Sequence, residues 1–141
     1  MTGIWKTWMR LWCAGALLFA LVLVTVAVPG LSGPMHAVFG IIAPGSDPAL
    51  LDMPIAQFGL GLQGALTISW ILCVYGVLIA GGAHNGALWR WQMAGMVAWC
   101  IIDSAISVIT GFPINAVSNT LLMVLFAVPV VASGAMRTRA G

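Results

Sequence analysis

The chain carries very little charge. Of its 141 residues only 6% are charged, while 62% are hydrophobic, and the mean hydropathy is +1.09. A soluble globular domain has about 25% charged residues, so these side chains cannot cover a water-facing surface. The composition is that of an integral membrane protein. Five basic and three acidic residues give a formal net charge of +2. That charge is small and scattered, with no basic patch to hold phosphate, which argues against nucleic acid as a partner.

Cysteine is equally sparse. Cys13, Cys73 and Cys100 form no C-x-x-C pair, and all three fall in apolar runs, where a free thiol packs as a small apolar residue. They carry no information about redox compartment. Runs of alternating apolar and polar residues, which a membrane barrel requires in segments of about ten residues, are also missing.

What the sequence has instead is long uninterrupted apolar stretches. Crossing the hydrocarbon core of a bilayer takes roughly 20 residues of helix, and four runs qualify: residues 11–28, 54–80, 89–110 and 114–134. The first ends at Pro29-Gly30 and the second at Gly81-Gly82. The predicted fold is therefore all-α, one membrane domain over residues 1–141 built as a four-transmembrane-helix bundle. The first span resembles a secretory signal, with Lys6 and Arg10 ahead of it. Its apolar length exceeds the roughly 7 to 15 residues of a signal core and no small-x-small cleavage site follows, so it reads as a retained signal anchor.

Orientation follows from lysine and arginine, which are retained on the cytoplasmic side of short loops. With four spans, Lys6, Arg10, Arg90, Arg137 and Arg139 all fall on one side. Both termini are predicted to be cytoplasmic, with the loop over residues 29–53 outside. Prolines at 29, 34, 44, 48 and 54 bar a long helix there. Its middle, MHAVFGII, is apolar enough to lie in the interface or to fold back over the helix ends.

This topology separates His36, in the outer loop, from His84, in the inner turn, and a bis-histidine haem or metal pair would have to bridge the bilayer. His36 could join Met35, Met53 or Asp52 around copper, but the spacing matches no metal motif and a loop histidine at the headgroup boundary is the plainer reading. No metal site is predicted, and no cofactor is named by the sequence. Trp5, Trp8, Trp12, Trp89 and Trp91 fall near the inner interface, where indole N–H groups find headgroups. Trp70 and Trp99 sit deeper and read as packing residues.

The one acidic residue of the third span is Asp103. It lies seven residues inside Thr110, roughly 10 Å at 1.5 Å per residue, with Ser107 one turn further on and Ser104 beside it. The Gly111-Phe112-Pro113 break is too short to place any helix but the fourth beside the third. On that fourth span Asn115 and Asn119 are one turn apart at a similar depth. Gln57 and Gln63, on the first turns of the second span, cannot both point the same way, but one or the other can join them. The candidate polar pocket is Asp103, Ser107, Asn115, Asn119, Gln57 and Gln63.

Two readings compete for this cluster. As structural glue, Asp103 is neutral or hydrogen-bonded, because an unpaired charge in hydrocarbon costs about 2.5 to 3.5 kcal/mol. A neutral acid donating to Asn119 would be an interhelical bond worth under about 2 kcal/mol. As a pocket, the same groups open outward beneath the loop and bind a head group, a quinone or a proton. Catalytic residues are not predicted, since no histidine, lysine, cysteine or second carboxylate lies at the depth of Asp103 to complete an acid/base or nucleophilic pair.

The segment DSAISVITGFPINAVSNTLLMVLFAVPV, Asp103 to Val130, resembles the closing helical hairpin of small four-span bacterial inner-membrane proteins that are broadly DoxX-like in size and layout. The resemblance implies the four-span architecture and a bacterial plasma membrane, and it transfers no catalytic residue. Small residues recur along the spans, as in GLGLQGAL and AGMVAW, at positions that let helices pack closely. The expected partners are the lipid bilayer and either another membrane protein or further copies of the chain. The leading expectation is a non-catalytic membrane subunit. A lipid-, quinone- or pigment-binding protein, a lipid-modifying isomerase using Asp103, and a small transporter protomer are the alternatives.

Overall fold

The computed structural model describes residues 1, 3–80 and 85–137; His84, Arg139 and the Gly81-Gly82 turn lie outside the described residues. The chain is all-α. Helix α1 is Gly3–Thr25, α2 is Gly33–Ile42, α3 is Pro54–Ile79, α4 is Gly86–Ile109 and α5 is Pro113–Ala132, with a 3₁₀ helix at Pro48–Asp52. The helices α1, α3, α4 and α5, of 23, 26, 24 and 20 residues, are long and apolar enough to cross a membrane. At 1.5 Å per residue even the shortest reaches about 30 Å, the thickness of the hydrocarbon core.

Three of the four expected spans match their helices to within three residues at either end. The first differs: α1 begins at Gly3, eight residues ahead of the apolar run. Trp5, Lys6, Thr7, Trp8, Met9 and Arg10 interrupt hydrophobicity without interrupting helix geometry, because none of them breaks a helix as proline or glycine would. The loop over residues 29–53, where prolines are expected to bar a long helix, contains a short one of 10 residues. Pro34 sits in the first turn of α2, where the missing N–H costs nothing.

Helix boundaries follow local chemistry. Asn85 Oδ1 accepts from the N–H groups of Ala87 and Leu88 and so caps α4. The 3₁₀ helix is started in the same way by Asp47 Oδ1, which accepts from Ala49 N–H at 2.9 Å. At the far end of α4, Gly111 adopts φ +89°, a conformation other residues rarely take. It donates to the Val108 carbonyl while Phe112 N–H donates to the Ser107 carbonyl at 2.7 Å, which is the bonding pattern of a Schellman cap. Pro113 then opens α5 at once. This three-residue junction folds α4 and α5 into a hairpin.

The chain divides into two compact units, Ala14–Leu72 and Met1–Cys13 with Cys73–Gly141, so that α1 and α3 each contribute to both. Within the Ala14–Leu72 unit, Leu23 and Val26 of α1 bury against Met35 of α2 and Leu51 of the 3₁₀ helix, with Val38, Phe39 and Leu60 around them. The apolar middle of the loop over residues 29–53 therefore folds back onto the helix ends. Gly64 of α3 makes this unit's closest approach: a Cβ there would lie 2.7 Å from the Ala20 carbonyl oxygen.

The other unit is centred on Met9, Trp89, Met96, Phe126 and Val130, all fully enclosed. Trp12 meets Phe126 edge-on with ring centroids 5.0 Å apart. The indole N–H groups of Trp8 and Trp12 donate to the carbonyls of Leu125 and Leu122. These tryptophans thus find partners on α5, where the sequence suggested headgroups. The start of α1 lies beside the end of α5, and Gly86 at the start of α4 abuts Met136 and Arg137. In this unit the start of α1 and the segment after α5 share one end of the helix stack, and the α4–α5 turn forms the other.

Candidate functional site

The hairpin brings Asp103, Ser107, Asn115 and Asn119 together. On α4 the inward stripe runs Met96, Cys100, Asp103, Ser107, spaced three to four residues apart and therefore on one face. Cys100 and Ser107 are buried and Asp103 is half-buried. Asn115 and Asn119 lie one turn apart on the facing side of α5, and Asn119 is only 3% exposed.

Hydrogen bonds within the cluster converge on one atom. Asp103 Oδ2 accepts from Asn115 Nδ2 at 3.1 Å and from Asn119 Nδ2 at 2.5 Å. The remaining proton of each amide is also used. Asn115 Nδ2 donates to Ser107 Oγ at 2.9 Å, and Asn119 Nδ2 reaches Ser104 Oγ at 3.5 Å. Ser107 Oγ donates in turn to the Asp103 backbone carbonyl at 2.7 Å. In the contact between Asp103 and Asn119 the amide nitrogen faces the carboxyl oxygen Oδ2.

This arrangement is chemically specific. Two amides present four N–H donors to a carboxylate and two hydroxyls, which suits a group acting as acceptor. Asp103 has no ion-pair partner among the described residues. Its second oxygen, Oδ1, accepts from no described residue and is not enclosed. The fully enclosed side-chain polar atom without a partner among the described residues is Trp89 Nε1, near the other end of α4. The cluster can fasten two helices, and it leaves one carboxylate oxygen open.

Gln57 and Gln63 make none of these hydrogen bonds. Both belong to the Ala14–Leu72 unit, on α3, where Gln57 is half-buried and Gln63 exposed. Neither side-chain amide has a hydrogen-bond partner among the described residues; the Gln63 backbone carbonyl accepts from Thr67 Oγ1 at 2.8 Å. Ser104 is the addition that the sequence reading left at the margin of the cluster. Its signal was its place one residue after Asp103 and four after Cys100, whose Sγ lies 4.0 Å from Ser104 Oγ.

Outside the hairpin, His36 Nε2 of α2 lies 3.5 Å from Asp52 Oδ1 of the 3₁₀ helix. Asp52, one of the three partners that the copper alternative offered, thus lies beside His36. The thioethers point elsewhere: Met35 is buried in the apolar core of its unit and Met53 is exposed. No group of three or more histidine, cysteine or acidic residues is placed to hold a metal among the described residues. No protein family, curated protein or solved structure matches the chain.

Proposed function

We propose that this protein is a non-catalytic integral membrane protein of a bacterial inner membrane, working as an accessory subunit of a membrane complex or as a homo-oligomer, with both termini cytoplasmic. The observation that carries this reading is the convergence of Asn115 and Asn119 on Asp103 Oδ2. A carboxylate occupied by two amides of its own hairpin is built as a fastener. General acid/base chemistry instead calls for a titratable partner or a proton path at the same atom.

The outer surface supports the same reading. Ile102, Ile106 and Ile109 of α4 and Val117 and Leu121 of α5 are all exposed. Apolar surface of this extent belongs against lipid or against other helices. The basic residues Lys6, Arg10, Arg90 and Arg137 cluster toward the end of their unit that holds the start of α1 and the segment after α5, which agrees with a cytoplasmic placement of that end. The DoxX-like look of the α4–α5 hairpin supports a bacterial plasma membrane.

A second reading rests on the open Oδ1 of Asp103, which leaves room for a small ligand bound from the membrane, such as a lipid. Native mass spectrometry of the protein gently extracted from its own membrane separates the two. A stoichiometric protein partner, or a defined homo-oligomer free of ligand, is the expected result. A single chain carrying one defined lipid, quinone or pigment would replace the subunit reading with the ligand reading.

A further inference from the structure

The hydrogen-bond inventory of the hairpin is lopsided. Both protons of Asn115 Nδ2 and both of Asn119 Nδ2 are directed at acceptors within the cluster, and the Ser107 hydroxyl is given to a backbone carbonyl. What stays open is acceptor capacity, chiefly Asp103 Oδ1. A quinone or any other carbonyl ligand presents acceptors of its own and so fits this remainder poorly. A donor fits it, and a cation fits it best, because a carboxylate within hydrocarbon calls for a counter-charge.

Among the described residues of its own unit, no such cation lies close to Asp103. Arg90 is thirteen residues from Asp103 on the same helix, about 20 Å along its axis. Lys6 and Arg10 lie on the first turns of α1, beside the end of α5, and Arg137 lies beyond that end. His36 belongs to the other unit, where it pairs with Asp52. A second copy of the chain would bring only another aspartate to a symmetric contact at this position. Immediately beside Asp103 on α4, Ile102 is 59% exposed and Ile106 54% exposed, giving an apolar margin on which a helix can lie.

We propose that Asp103 Oδ1 receives a lysine or arginine side chain from a membrane-spanning helix of a different protein, seated on the Ile102–Ile106 face of α4. This rests on the subunit reading above and names the chemistry of the partner. The α4–α5 hairpin then has two roles for one carboxylate. Oδ2 fastens the hairpin, and Oδ1 selects a partner by charge.

Photo-crosslinking amino acids at position 102 or 106 of the full-length protein, activated in its own membrane, test this directly. The expected capture is a membrane-spanning segment containing a lysine or arginine. It falls about tenfold or more in Asp103→Asn, and falls equally when that basic residue is changed to glutamine. Asp103→Asn keeps an acceptor for Asn115 and Asn119, and an unchanged melting temperature in detergent establishes that the hairpin is intact. Capture of a segment without a basic residue, or capture indifferent to Asp103→Asn, overturns the proposal while leaving the subunit reading in place. Crosslinks to lipid alone or to the chain itself also overturn it. If native mass spectrometry in addition finds no protein partner and no oligomer, the subunit reading falls as well.

Discussion

Trp8 Nε1 donates to the Leu125 carbonyl at 3.0 Å, and Leu125 is the residue whose carbonyl Pro129 cannot serve. In an uninterrupted helix the N–H four residues on would close that bond, but proline has none. Within a membrane each freed backbone group must find another partner. A tryptophan from the first turns of α1 supplies it, and one turn on, Trp12 donates to the Leu122 carbonyl at 3.1 Å. The start of the chain is thereby fixed to the notch that Pro129 opens in its last helix.

Trp8→Phe should destabilise the protein by about 1 to 2 kcal/mol, the usual cost of leaving a polar group unpaired. Restoring the missing N–H with Pro129→Ala should make the indole redundant. In that background Trp8→Phe is expected to cost less by at least about 0.5 kcal/mol, as read from a double-mutant cycle of unfolding in detergent. Equal costs in both backgrounds would show that Trp8 contributes packing alone.

Asp103 offers a cleaner separation of shape from hydrogen bonding. Asp103→Asn preserves an acceptor for Asn115 and Asn119, whereas Asp103→Leu leaves two amides of a buried seam without their common partner. Asp103→Asn should unfold within about 1 kcal/mol of the parent protein, and Asp103→Leu should lose about 2 to 4 kcal/mol. Thermal unfolding in a fixed detergent distinguishes them, and equal stability of the two variants would remove the fastening role.

The residues of this fastener were legible in the sequence for a definite reason. Asp103 and Ser107 are one helical turn apart, as are Asn115 and Asn119, and a junction of only Gly111, Phe112 and Pro113 leaves no choice of neighbour. Depth and adjacency together fix such contacts. Gln57 and Gln63 had the right depth but no comparable constraint, because apolar length gives neither the rotation of α3 nor its neighbours. The pairing of Trp8 with Leu125 was hidden for a related reason: the acceptor is a backbone carbonyl, and only the identity of the adjacent helix reveals who fills it. Helix α2, 10 residues long, fits between the prolines that bar a longer one, with Pro34 in its first turn.

Gly64 marks where α3 meets α1 in the Ala14–Leu72 unit. An added Cβ would stand 2.7 Å from the Ala20 carbonyl oxygen, 2.8 Å from Val24 Cγ2 and 3.0 Å from Leu23 Cβ. Two of these obstacles are backbone or Cβ atoms, which cannot swing aside as the end of a flexible side chain can. Gly64→Ala should therefore cost about 1 to 3 kcal/mol despite the better helix propensity of alanine. Gly59, on the same helix, faces open space, and Gly59→Ala should be neutral or slightly stabilising. Matched unfolding curves for the two variants test whether close approach, and not glycine content, is what this helix requires.

Gly86 raises the same question in the other unit. A Cβ there would fall 2.6 Å from the Met136 carbonyl oxygen and 2.8 Å from the Arg137 carbonyl carbon. Arg90 Nη1, one turn along α4, donates to the same Met136 carbonyl at 2.8 Å. The segment after α5 is thus seated against the first turn of α4 by a close backbone contact and a charge-assisted bond. Gly86→Val should displace that segment while the Asp103 fastener, at the far end of α4, stays closed. The measurement is protease cleavage after Arg137 in detergent: cleavage should accelerate severalfold in Gly86→Val and to a lesser degree in Arg90→Ala, where one bond is lost but the close contact remains. Cleavage at the parental rate in both variants would mean that the contact with Met136 does not hold the segment in place.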